Sequence, residues 1–223
     1  MWLINSSVGK KVVMSVTGIC LILFLTFHAL MNSVALFSKD GYNAVCEFLG
    51  TNWYALVGTL GLAALAVLHL IYAFVLTIQN RKARGQNRYF VTAKPEKVEW
   101  ASQNMFVLGI IIVLGLLLHL FNFWYNMMFA ELVGNIGDHV PTDGYAYIVD
   151  TFSNPVFTVL YIIWLVALWF HLSHGFWSSL QTLGLNGKTW LKRWQCIGIV
   201  WVTIIVGLLL LVVLKFALCG GAC

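Results

Sequence analysis

Charge is what this sequence has least of. Lys, Arg, Asp and Glu make up 9% of its 223 residues, against 61% hydrophobic residues, and the mean hydropathy is +0.86. A soluble domain needs about a quarter charged residues to cover its surface, so a water-facing globule is excluded and the surface must face lipid. Proline is scarce, with 3 in the chain, and Pro155 is the first to touch an apolar stretch, at its edge. Asp and Glu are absent from the interior of every apolar stretch. Haem-free transporters and channels usually use intramembrane carboxylates or broken helices, so both absences argue against that class. The 5 cysteines form no CxxC and no CxxCH, which argues against covalent c-type haem attachment. Cys20 and Cys196 lie in or beside apolar stretches and read as small apolar residues, while Cys219 and Cys223 sit in a Gly-rich tail with no assigned role.

What is there is long apolar sequence. A bilayer core about 30 Å thick takes roughly 20 apolar residues of helix. Five stretches qualify, at roughly Val12–Phe37, Trp53–Ile78, Gln103–Phe129, Val156–Leu183 and Trp194–Phe216. The fold class expected is an all-α integral membrane protein, one domain over residues 1–223 built on five transmembrane helices. Lys10 and Lys11 precede the first stretch as in a signal peptide, but it is too long for a signal core and lacks a small-x-small cleavage site, so it reads as a span. Trp53, Tyr54, Trp124, Tyr125 and Trp190 mark span ends as interface anchors.

The net charge of +5 comes from residues between the spans, so it reads as a topology signal and not as a nucleic-acid surface. Lys10, Lys11, Arg81, Lys82, Arg84, Arg88, Lys94, Lys97, Lys188, Lys192 and Arg193 fall on one side, and only Lys39 and Lys215 on the other. The third inter-span loop carries Glu131, Asp138, Asp143 and Asp150 and no Lys or Arg. Positive charge marks the cytoplasm, so the amino terminus is expected inside and the carboxyl terminus outside.

The spans do hold histidine: His28, His69, His119, His171 and His174. A titratable group in a membrane is costly and needs a reason. His28, His69, His119 and His171 each lie about sixteen residues into their span at a rise of about 1.5 Å per residue. Because alternate spans run in opposite directions, His28 and His119 share an outer level and His69 and His171 an inner one. The levels differ by very roughly 10 Å. Two imidazoles from different helices at one depth suit the axial positions of a b-type haem, so two haems are expected. Ala167, Gly175, Ala66 and Gly115 lie one turn from these histidines, which leaves room for a macrocycle or serves ordinary tight packing of membrane helices. His174 is about 4.5 Å in rise from His171; it can be the inner ligand itself, a partner of a haem propionate or a core histidine. His139 sits beside Pro141 in an outer loop and reads as solvated surface.

These residues carry a resemblance. GKKVVMSVTGICLILFLTFHALMNS, VLHLIYAFVLTIQNRKAR, LLLHLFNFW and FHLSHGFWSSLQTLGLN are similar to the four ligand helices of the cytochrome b subunit of succinate dehydrogenase and fumarate reductase complexes. The likeness is to the di-haem, single-polypeptide, five-helix form, and Lys11, Met14, Thr17, Gly18, His28 and Asn32 stand at that family's spacing in the first helix. Other quinone-linked cytochromes b, such as the anchors of hydrogenases or formate dehydrogenases, share di-haem histidines but not the FHLSHGFWSSLQTLGLN pattern.

The resemblance implies that the fourth-helix ligand is His171, after Phe170, and that His174 is a neighbour of the inner haem. It implies pairing of helix one with three and two with four. It further implies a membrane anchor in the bacterial cytoplasmic membrane, carrying a flavoprotein with FAD and an iron–sulfur subunit on its cytoplasmic face. Electrons would pass between the iron–sulfur subunit and menaquinone, by way of the inner and then the outer haem. The dicarboxylate chemistry would belong to the partner, and such complexes can dimerise. For the quinone, Glu47 and Asn32 are the candidate residues. Relatives that couple fumarate reduction to proton movement carry a glutamate two positions before the fourth-helix ligand; here that position is Trp169.

Overall fold

A computed structural model describes residues 6–50, 52–84, 99–134 and 138–220. Arg88, Lys94, Lys97 and Cys223 lie outside the described residues, as does the side chain of Arg84. The helices are α1 (Ser7–Ser33), α2 (Lys39–Phe48), α3 (Trp53–Arg84), α4 (Trp100–His119), α5 (Ala130–Val133), α6 (Gly144–Ser153), α7 (Pro155–Thr182) and α8 (Lys188–Cys219). Among the described residues there is no strand. Five helical segments are long and apolar enough to cross a membrane: Ser7–Leu36, Trp53–Ala83, Trp100–Val133, Pro155–Thr182 and Lys188–Cys219. Each expected span is present and extends beyond its expected limits at one or both ends, because polar first and last turns continue the helix.

Local sequence sets where several helices begin. The side chains of Ser6, Ser38, Asp143 and Asn154 accept hydrogen bonds from Gly9, Gly41, Ala146 and Val156 backbone N–H groups, and Pro155 stands in the first turn of α7. Each cap satisfies a donor that the helix itself cannot. Two elements have no counterpart in the expected spans. The helices α2 and α6 lie at the end of the bundle remote from Lys10 and Lys11, where Asn43 ties them together. Its Nδ2 donates to Asp143 (2.8 Å) and its Oδ1 accepts from the Tyr145 N–H (3.0 Å).

The core is built by α7 and α8 packed against α1, with Phe216, Ile148 and Val202 fully buried. Lipid offers no hydrophobic drive for helix association, so close packing and interhelical hydrogen bonds supply it. Phe176 seats against Gly198. The indoles of α7 and α8 donate across the bundle, Trp169 to Thr203 (2.9 Å), Trp201 to Thr26 (3.2 Å) and Trp164 to the Ile112 carbonyl (3.1 Å). Trp169 thus fastens α7 to α8. The Lys215 ammonium donates to the Leu36 carbonyl (3.1 Å) and so holds the end of the first span to α8.

One helix stands apart. The long helix α3 packs principally on α1, and no residue of its most apolar window is buried. Between α3 and the α4–α7 pair runs a cavity of about 1770 Å³ that extends nearly the length of the bundle. Beyond His119 the third span changes winding: Leu120–Phe129 is a π-helix before α5 resumes the α form. Wide turns of this kind re-aim the residues that follow and are frequent at functional sites.

Docking of α2 on α6 depends on Gly144. A Cβ there would press on Cys46 Sγ, on Met127 (3.0 Å) and on Tyr42 (3.1 Å). Gly144→Val is expected to cost about 1–3 kcal/mol by overpacking, measured as a lower unfolding temperature in detergent, while Gly61→Val, whose site is open and off the cavity, leaves it unchanged.

Candidate functional site

Four helices each bring one histidine to the cavity: α1 His28, α3 His69, α4 His119 and α7 His171. The structure brings them together in two pairs. The rings of His28 and His119 have centres 5.7 Å apart and planes 89° to one another. Those of His69 and His171 are 6.5 Å apart at 69°. With metal–nitrogen bonds of about 2 Å, two imidazoles on opposite sides of one metal ion have their centres about 6 Å apart. Both pairs have that spacing. Among the described residues no group of three or more His, Cys, Asp or Glu side chains converges. Each pair could therefore hold one metal ion or metallocycle between its two rings. The cavity exceeds ordinary cofactor pockets of about 300–1,000 Å³, so a macrocycle at each level is compatible with its size.

The inner pair is positioned by α1. The Thr17 hydroxyl donates to the carbonyls of Val13 (2.9 Å) and Met14 (3.0 Å) and lies 3.1 Å from His69 Nδ1. The Met14 carbonyl is a second acceptor for the His69 ring, and with Nδ1–H donated to these α1 oxygens the Nε2 lone pair is available to a metal. Gly18, one residue on, lets this ring approach; a Cβ there would stand 3.3 Å from His69 Cε1. Opposite, His171 has a buried Nδ1 with no hydrogen-bond partner. Such an atom costs about 1–3 kcal/mol unless a ligand satisfies it.

The outer pair is held by aromatic rings. His119 packs against Phe123, Trp164 and Tyr161, with ring centres at 5.2, 5.6 and 6.3 Å, and His28 stacks on Phe24 at 5.5 Å. Gly115 has a different use from making room for a macrocycle: the Trp164 indole fills the space its missing Cβ leaves. Ala167 is likewise buried, in a cluster with Ala101 and Leu108. Ala66 and Gly175 do line the cavity.

His174 pairs with no histidine. Its Nδ1 lies 2.8 Å from Glu99 Oε2, and its ring meets Trp177 edge-on at 4.8 Å. Glu99 just precedes α4, so this contact joins the third and fourth spans beside the inner pair. His139 is near Asp150 and receives the Tyr147 hydroxyl on its backbone carbonyl, away from the cavity.

The two quinone candidates separate. Asn32 lines the cavity, donating to the His28 carbonyl (2.8 Å) and accepting from the Tyr42 hydroxyl (3.0 Å). Glu47 is exposed and lines a separate small depression with Asp40, Asn43, Thr142 and Asp143. Sequence reasoning passed over Glu99, Trp164 and the contact of Thr17 with His69. Of these only Thr17 leaves a readable signal, a hydroxyl inside an apolar run.

Comparison with protein-family models, curated proteins and solved structures finds no match.

Thr17→Val keeps the side-chain shape and removes one of the two α1 acceptors of the His69 ring. A metal or metallocycle held by His69 is then expected to bind about 10–100-fold more weakly, while the His28–His119 level is unaffected. Equal loss at both levels in a titration would remove Thr17 from the account.

Proposed function

We propose that this protein is a di-haem cytochrome b, the membrane anchor of a succinate:quinone oxidoreductase, passing electrons between an iron–sulfur partner and membrane menaquinone. The observation that carries the reading is the pair of imidazole pairs, with ring centres 5.7 and 6.5 Å apart, within an apolar bundle. His28 and His119 would hold an outer haem, and His69 and His171 an inner one. Bound haem supplies reversible one-electron chemistry. The chain supplies neutral imidazoles, a water-poor wall and fixed ring directions, all of which tune a haem.

Direction follows from charge. Lys10, Lys11, Arg81 and Lys82 lie at one end of the bundle with Lys188, Lys192 and Arg193, while Asp40, Glu47, Asp138, Asp143 and Asp150 lie at the other. The positive end is cytoplasmic, so the inner pair faces the cytoplasm. Cys219, at the opposite end, is disulfide-bonded, as suits an oxidising compartment. The cytoplasmic membrane of a bacterium fits both features. The basic face suits docking of the iron–sulfur and flavoprotein subunits by charge complementarity. His174, paired with Glu99, is read as a neighbour of the inner haem and not as its ligand. The sequence likeness to succinate dehydrogenase and fumarate reductase cytochromes is what favours this complex over other quinone-linked ones, and menaquinone as its quinone.

Reduced-minus-oxidised spectra of the purified protein should show b-type bands at two haems per chain. His28→Ala and His119→Ala should abolish one haem, and His69→Ala and His171→Ala the other. A colourless folded preparation sinks the reading. Loss of the inner haem in His174→Ala but not in His171→Ala overturns the ligand assignment.

A further inference from the structure

The two histidine levels are held by different means. On the inner level, oxygens of α1 take the His69 ring nitrogen. On the outer level the His119 ring is bounded by aromatic faces. Trp164 lies at 5.6 Å with planes 34° apart, Phe123 at 5.2 Å and 42°, and Tyr161 at 6.3 Å and 69°. An imidazole turns easily about its bond to Cβ, where the torsional wells are broad. A neighbouring ring close to parallel prevents this, because turning drives the edge of the imidazole into its face. Of the three neighbours, Trp164 lies nearest to parallel.

Trp164 is also the neighbour that is pinned. It reaches His119 across the interface of α7 with α4. The indole occupies the place of the Cβ that Gly115 lacks, and a Cβ there would overlap its Cγ, Cδ1 and Nε1 atoms. Its Nε1–H donates to the Ile112 carbonyl (3.1 Å), and the Tyr161 ring meets it edge-on at 5.6 Å and 81°. Phe123 has no polar atom by which it could be held in this way. Helix α4 thus carries His119 and, one and two turns before it, the notch and the carbonyl that seat the ring packed against it.

We propose that Trp164 is a positioning residue for the outer level: seated on Gly115 and Ile112, it fixes the plane of the His119 ring and so sets the 89° crossing with His28. This rests on the reading of the protein as a di-haem cytochrome. Orientation of a ligating imidazole is one of the means by which its surroundings tune a metal centre, so Trp164 acts on the outer haem through His119. The direction of its effect follows from the geometry. Planes crossing at 89° stand at the perpendicular limit, so a turn of His119 can only bring them toward parallel. The His69–His171 pair serves as the internal control.

The test uses the haem-loaded protein and low-temperature electron paramagnetic resonance of its oxidised state. The outer signal is identified as the one lost in His28→Ala. Trp164→Leu removes the flat face, and Gly115→Ala displaces the indole while keeping it. In both, the outer low-spin signal should lose anisotropy, its largest g value falling, while the inner signal stays in place. Trp164→Phe keeps a smaller flat face and should fall between the wild type and Trp164→Leu. An outer signal that stays put in Trp164→Leu or Gly115→Ala, or whose largest g value rises, overturns the proposal. Equal movement of both signals also overturns it, since general loosening of the bundle acts on both levels. If Trp164→Leu fails to fold or to load the outer haem, Trp164→Phe decides: a lower largest g value supports the proposal and an unchanged one overturns it. A wild-type protein that binds no haem fails the functional reading and this assignment with it. Two haem signals that these variants leave unmoved fail only the assignment of Trp164.

Discussion

An imidazole inside an apolar bundle has to satisfy two ring nitrogens where water is scarce, and this structure brings four such rings to one cavity. On the inner level the Thr17 hydroxyl takes one nitrogen of His69 at 3.1 Å, and Gly18 lets the ring in. On the outer level an aromatic wall of Phe123, Tyr161 and Trp164 surrounds His119. All four rings line the cavity. The rest of the bundle keeps the rings paired. Indole hydrogen bonds fasten α7 to α4 and α8, and α3 rests on α1 so that His69 can look across to His171.

Helix packing divides along the same line. One side of the bundle is a dense core of α1, α7 and α8, and the other is the cavity bounded by α3 and α4. Small residues serve both sides. Gly115 and Gly198 admit large aromatic rings, whereas Gly175 opens on the cavity. Spacing along one helix does not tell these uses apart, because a glycine one turn from a histidine looks the same whether an indole or a macrocycle fills the gap.

That is also where the sequence stops being readable. The five spans were legible because apolar length is a one-dimensional property, and the pairing of His28 with His119 and His69 with His171 because the helix rise is constant. Helices α2 and α6 were not legible, since they are too short and mixed in polarity to register as spans. The contact of His174 with Glu99 depends on how two helices meet across a polar end. The place of Glu131 depends on π winding over Leu120–Phe129, which no apolar periodicity announces. In the sequence Glu131 is one acidic loop residue among four; in the fold it is the one of them that lines the cavity.

The central claim is that two metal centres are each held by one imidazole from either side, with ring planes 89° and 69° apart. Low-temperature electron paramagnetic resonance of the oxidised protein tests it most directly, because two axial imidazoles make ferric haem low-spin and crossed ring planes make its signal strongly anisotropic. The account expects two such low-spin signals in equal amount, one lost in His28→Ala and the other in His69→Ala. A high-spin signal in the intact protein, a single low-spin species, or no ferric haem at all would contradict it.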